Sequence, residues 1–166
     1  PPPLLFLQFL PYLREDFLSR TLASVMSQYQ AIVIDTSAYF TWLVKSALRF
    51  ATDVIFPVAC NAQCYESLMD NLSMINRYKN NISAVWNIKY VRTLHNKEQK
   101  LSDQISSMYK ELFGDQCCNT SLRVAADGDK ACIERQSILE YSPPSDSDLG
   151  NLARDYYEVI KEIYGR

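Results

Sequence analysis

Tyr29-Gln-Ala-Ile-Val-Ile-Asp35-Thr-Ser37 is the stretch on which the fold turns. Ala31 to Ile34 is short, continuously apolar and β-branched, which predicts a strand covered on both faces. It ends in the turn-forming trio Asp35-Thr36-Ser37. Working outward, Leu43, Ala47 and Leu48 predict a helix, and Val54-Ile55-Phe56 a second strand closed by Pro57. Leu68, Leu72 and Ile75 mark another helix, and Ile82 to Ile88 another strand. Leu101, Ile105, Met108 and Leu112 form a helical stripe with Gly114 placed as its C-cap. Cys118 to Val124 predicts a further strand. A last helix starts near Asp146-Ser147-Asp148, with Leu149, Leu152, Tyr156, Ile160 and Ile163 as its stripe. Upstream, Leu4 to Phe9 reads as a strand, and Leu13, Phe17, Leu18, Leu22, Val25 and Met26 as a helix.

Short apolar strands alternating with amphipathic helices imply right-handed βαβ units. The expected fold is therefore α/β, a mostly parallel sheet flanked by helices on both faces, in a single domain over residues 1–166 that is incomplete at its N-terminus. Ligands in such sheets sit at the carboxyl ends of the strands. That rule singles out Asp35, Pro57 and the stretch from Asn87 to Arg92.

Composition narrows the function. The net charge of −2 supplies no global basic field for nucleic acid, so any DNA contact needs a local Arg/Lys cluster. Leu4 to Leu10 is too short to span a bilayer, and Pro1-Pro2-Pro3 offers no basic leader, so a cytoplasmic protein is expected. Five cysteines at irregular spacing argue against a disulfide framework and for reduced thiols packed as small apolar groups. Cys60-x-x-x-Cys64 has no second ligand pair at finger spacing. Asn71, Asn81 and Asn119 each begin a glycosylation-like triplet, read as chance matches. His95 is expected to be a solvated loop residue, and one histidine in a polar loop argues for no Ser/His/Asp arrangement. Lys97, Lys100 and Lys110 read as one solvated helix face, and Lys89, Arg92 and Lys97 as a possible basic edge. Tyr156-Tyr157 are expected to pack the last helix.

A carboxylate where a buried strand opens into a loop can hold Mg²⁺ while the metal bridges phosphates, and Asp35 stands at such a point. The string from Tyr29 through Asp35 to Leu48 resembles the ParA/Soj/MinD pattern "YDxIxIDxPPSLGxLTxNAL". It continues into Thr52-Asp-Val-Ile-Phe-Pro57-Val58, similar to the family's "AADxVLIPV", and Glu66 and Leu68 match its "ALEGL" helix. Tyr90-Val-Arg92-Thr93 is similar to "DART", and Ser137-Ile-Leu-Glu-Tyr141-Ser-Pro143 to "PIxDYDP". The resemblance keeps the family order over residues 29 to 163.

It implies a P-loop NTPase-like partition ATPase. Such a protein binds ATP or ADP with Mg²⁺, dimerises around two nucleotides, and binds DNA non-specifically. A ParB-like partner stimulates its hydrolysis. Carried over residue by residue, Asp35 takes the metal position, Asn87 and Pro57 the nucleotide rim, and Arg92 a DNA-phosphate contact. Nothing in the sequence resembles the phosphate loop "KGGxGKT". The four glycines, at 114, 128, 150 and 165, are not clustered before a Lys-Thr pair. The switch Pro-Pro is Ser37-Ala38, the switch glycine is Thr41, and the "PRN" base loop is Arg123-Val124-Ala125. The chain as it stands is thus expected not to be catalytic, and to be an ATPase only where a preceding segment supplies the loop. The competing expectation is a non-catalytic ParA-fold module for protein interaction or dimerisation. A MinD-like membrane-associated ATPase ranks last, because Lys161 to Arg166 is too short and mixed in charge to hold a membrane.

Overall fold

A computed structural model describes residues 16–37, 39–143 and 151–165. The expected strand at Leu4 to Phe9, the positions Leu13, Ala38 and Leu149, and the cap at Asp146 to Asp148 lie outside these residues. The described elements are α1 (Phe17–Leu22), α2 (Trp42–Phe50), β1 (Asp53–Ala59), α3 (Ala62–Asn81), β2 (Asn87–Thr93), α4 (Lys100–Phe113), α5 (Ala126–Ile133), α6 (Ile138–Tyr141) and α7 (Leu152–Tyr164), with short 3₁₀ turns at Met26–Gln28 and Gly114–Gln116. The fold is α/β, with a small two-stranded sheet of order β1-β2. The strands run parallel: Asn87 donates to the Thr52 carbonyl at one end, and Cys60 to the Thr93 carbonyl at the other. The chain divides into two compact units, residues 1–54 with 74–87, and 55–73 with 88–166.

In the first unit, α2 buries Ser46, Ala47 and Leu48. The Ser46 hydroxyl accepts from the Leu18 amide at 3.2 Å. Trp86 Nε1 donates to the Leu48 carbonyl (2.9 Å) and the Tyr78 hydroxyl to that of Lys45 (3.1 Å), so both large rings satisfy their polar atoms on helix backbone. Thr41 is the N-cap of α2, with φ −86° and its side chain accepting from the Val44 amide.

The segment 31–37 has no regular secondary structure, and Val33 is 86% exposed while Ile32 and Ile34 are half-buried. The expected two-sided strand ending at Asp35 is therefore corrected. β-branched residues favour a pleated, half-buried surface, but a strand forms only where a neighbour completes its ladder, and that partner is not a property of the local sequence. The expected strand at Ile82 to Ile88 is shifted too. Helix α3 runs on to Asn81, Ser83 turns the chain with φ 51°, and β2 starts at Asn87.

In the second unit a third stretch, 117–124, runs parallel beside β2. It is joined by bridges Tyr90–Cys117 and His95–Arg123 and by Cys118 N–H to the Tyr90 carbonyl (2.9 Å) and Leu122 N–H to that of Arg92 (2.8 Å). Between the bridges the ladder is broken. There the Asn119 and Thr120 amides donate instead to the two oxygens of Glu162 on α7, at 2.6 and 2.8 Å. The strand expected at Cys118 to Val124 is thus an interrupted rail. Helix α4 ends at Gly114 with φ 50°, as its C-cap role requires. Its buried face is Ser102, Ile105, Ser106 and Tyr109. Leu101, Met108 and Leu112, expected inside, are 41–51% exposed. Val91, Cys118, Leu122, Leu152, Val159 and Ile163 form the core cluster under α7. Tyr156 and Ile160 lie outside it, and Lys161 and Arg154 sit over the Tyr157 ring, so neither Tyr156 nor Tyr157 is a core residue.

All five cysteines are free thiols. Burial pushes Cys60, Cys117 and Cys118 above the ordinary thiol range, which leaves them protonated and unreactive at neutral pH. Among the described residues no helix is long and apolar enough to cross a membrane.

Candidate functional site

The carboxyl ends of β2 and of the 117–124 rail meet at one place in the second unit. After Thr93, Leu94 takes φ 51° and turns the chain, which brings His95 beside Arg123. A pocket of about 510 Å³ opens there. His95, Asn96 and Lys97 form one wall, and Asn119, Ser121 and Arg123 the other. This volume is within the range that seats a small organic ligand.

His95 is buried, at 6% exposure, not solvated as expected from its polar loop. Its Nδ1 lies 2.8 Å from the Ser121 hydroxyl and its Nε2 3.2 Å from an Asp103 carboxyl oxygen. The helix N-terminus behind it is tied down by Asn96 N–H donating to Ser102 Oγ at 3.1 Å. Across the pocket, Arg123 makes a bidentate pair with Asp155, Nε to Oδ2 at 2.6 Å and one Nη to Oδ1 at 2.8 Å. The hydrogen bond to Asp155 holds the Arg123 guanidinium above its usual range, against a smaller opposing effect of burial. Burial pushes Glu162 up, but the Thr120 and Asn119 donors outweigh it and hold its carboxyl below the ordinary range.

None of the residues expected to form the site lines this pocket. Asp35 is exposed, on the unpaired 31–37 segment of the first unit. Among the described residues no three of His, Cys, Asp and Glu gather to hold an ion. Asn87 opens β2 and does not close it. Its side-chain amide donates to Asp53 at 2.7 Å, at the strand end opposite His95. Pro57 lies exposed within β1, which continues to Ala59. An edge strand tolerates a residue without an N–H there.

Arg92 is 3% exposed. One Nη donates to Ser106 Oγ (2.7 Å), and the other to the carbonyls of Cys118 (3.0 Å) and Asn119 (2.6 Å). Its Nε is buried with no partner among the described residues. So placed, the guanidinium is an internal clamp between β2, α4 and the rail. Lys89 reaches the Asp115 carbonyl at 3.0 Å, so Lys89, Arg92 and Lys97 do not line up as one basic edge.

One part of the site escapes a reading of local pattern. The Ser121–His95–Asp103 chain joins three separate segments. The Arg123–Asp155 pair did leave a trace: Asp155 falls on the buried stripe of α7 with Leu152, Val159 and Ile163. A carboxylate on an apolar stripe calls for a cationic partner.

No family model matches the chain. It is 29% identical over 108 residues to a protein of Pseudomonas putida KT2440 described only as uncharacterized, covering 64% of this chain and 41% of that protein. A P. putida protein from the gidB 3′ region matches to the same extent. It is also 25% identical over 154 residues to the chromosome-partitioning ATPase Soj of Treponema pallidum, covering 92% of this chain and 59% of Soj. The similarity to that ATPase is a distant one. The chain spans between 41% and 59% of the length of these curated relatives.

Proposed function

We propose that these residues are the C-terminal part of a ParA-like, nucleotide-dependent partition protein, and that the pocket beside His95 and Arg123 seats the nucleotide base. One observation carries the reading. The pocket lies at the carboxyl ends of parallel elements, and its rim includes Arg123 and Val124, where the resemblance places the family's base loop. The distant similarity to Soj over 92% of the chain supports it. The phosphates and Mg²⁺ would be held by a glycine-rich loop that these residues do not contain. ParB-like and DNA partners, homodimerisation and a cytoplasmic setting belong to the same reading.

Calorimetry with ATP and ADP tests it. The chain should bind both nucleotides with similar, weak affinity, because only the base side contributes, and Arg123→Ala should abolish the heat. With Mg²⁺ it should show no ATP turnover. Absence of binding to the folded chain, or binding unchanged in Arg123→Ala, would overturn the assignment.

A second reading, a non-catalytic module of the same fold, is favoured by Thr41. The position where the family has a flexible switch glycine is here an N-cap with ordinary negative φ. This reading gains if nucleotide fails to bind while sedimentation shows a concentration-dependent dimer.

A further inference from the structure

We infer that Ser121, His95 and Asp103 form an acyl-transfer site that opens into the pocket and acts on small carboxylic esters. The hydrogen-bond polarity of the chain carries the argument. A carboxylate only accepts, so the contact of Asp103 with Nε2 (3.2 Å) places the imidazole proton on Nε2. In the tautomer that carries its one proton there, Nδ1 is an acceptor, and the Ser121 hydroxyl 2.8 Å away donates to it. A serine hydroxyl bonded to an imidazole nitrogen, the ring itself oriented by a carboxylate, is a nucleophile with its base in place. His95 is 6% exposed, so its proton traffic is shielded from bulk water, and both His95 and Ser121 line the pocket through which a carbonyl would arrive. The Asn119 and Thr120 amides are committed to Glu162 and the Arg123 guanidinium to Asp155, which leaves the Asn119 side chain, on the pocket wall, as a donor for the developing oxyanion.

The reaction balances with water as the only co-reactant. Ser121 Oγ bonds to the ester carbonyl carbon while its proton passes to His95 Nδ1. The carbon–alkoxy bond breaks, and the proton moves from Nδ1 to the departing alcohol, leaving an acyl-serine. Water then gives a proton to Nδ1 and attacks the acyl carbon. The bond to Oγ breaks and the proton returns to Oγ, so ester and water become acid and alcohol. Ser121 and His95 are the catalytic residues; Asp103, with its side chain 58% exposed, is a positioning residue. This inference does not rest on the nucleotide reading, since it concerns hydrolysis of an ester and not recognition of a base.

The test is covalent labelling of the 166-residue chain with a fluorophosphonate probe, mapped by peptide mass, together with p-nitrophenyl acetate hydrolysis. The adduct should fall on Ser121 and vanish in S121A. D103N should lower kcat at least about tenfold with KM unchanged, and D103E should restore part of it. An unlabelled Ser121 in a chain with native circular dichroism overturns the proposal without any variant. So does hydrolysis that survives S121A, or a D103N effect confined to the melting temperature.

Discussion

Removing the Arg92 guanidinium would leave the Cys118 and Asn119 carbonyls and the Ser106 hydroxyl facing a void in a buried region, three acceptors that one side chain now satisfies. Charge-assisted hydrogen bonds of this kind are costly to break because the partners stay desolvated. Arg92→Met should therefore destabilise the protein by about 3 kcal/mol in urea unfolding, and Arg92→Lys should recover little, since an ammonium cannot span the fork. Affinity for DNA would not distinguish the variants in this placement. The sequence alone could not have shown this. A basic residue after Tyr90-Val91 reads as surface-seeking, and only the approach of Ser106 and the rail turns it inward. His95 is a parallel case: a polar stretch, Asn96 to Lys100, suggested solvent, whereas the Leu94 turn folds the ring under Ser121.

At the level of elements, α4 shows how hydrophobic periodicity can choose the wrong face. Two stripes share Ile105. One carries Leu101, Met108 and Leu112, and the other Ser102, Ser106 and Tyr109, and the latter faces inward. The reason is what α4 packs against. Ser106 meets a guanidinium, Ser102 a backbone amide, and the Tyr109 hydroxyl the Ala59 carbonyl at 3.1 Å. Small hydroxyl side chains let the helix approach this polar surface; leucines would leave its donors unpaired. Ser106→Leu should accordingly cost about 2 kcal/mol or more by overpacking and loss of the Arg92 partner, while Leu112→Ser should change stability by less than about 0.5 kcal/mol. Melting curves of the two variants decide which face is core. What was legible was punctuation and one-sided patterning. Gly114 ends α4 as its left-handed conformation demands, and of the stripe read on α7 Leu152 and Ile163 face the core, while Tyr156 and Ile160 give way to Val159 and Asp155. The Ala31–Ile34 run misled because apolar composition specifies burial preference and leaves the hydrogen-bonding neighbour open.

For the molecule as a whole, Glu162 links the last helix to the 117–124 rail across 42 and 43 residues of sequence. Its folded-state pKa is depressed below the ordinary 4.5. A carboxyl with a depressed folded pKa contributes stability that is present above its unfolded value and lost as pH falls through its folded value. Thermal stability should hold from neutrality down to about pH 5 and then decline with acidification, and Glu162→Gln should be less stable at pH 7 with a shallower decline below pH 4.5. Equal slopes in the two proteins would exclude this link as a source of acid sensitivity. At this scale the order of strand, helix and strand from β1 through the rail was readable from alternating segment types, because parallel neighbours need a crossover of helical length. The pocket was readable only as a direction, the carboxyl edge, since its walls come from segments that no local pattern joins.

The first unit also decides what light can see. Both tryptophans of the chain, Trp42 and Trp86, belong to it, with Trp42 edge-on to Phe17 at 6.0 Å and Trp86 bonded to the Leu48 carbonyl. The stacked rings of Tyr90 and Phe113 belong to the second unit. Indole emission is therefore a private signal of one unit, and a transition that it shares with loss of the whole chain's far-ultraviolet dichroism marks a chain that melts as a single cooperative body.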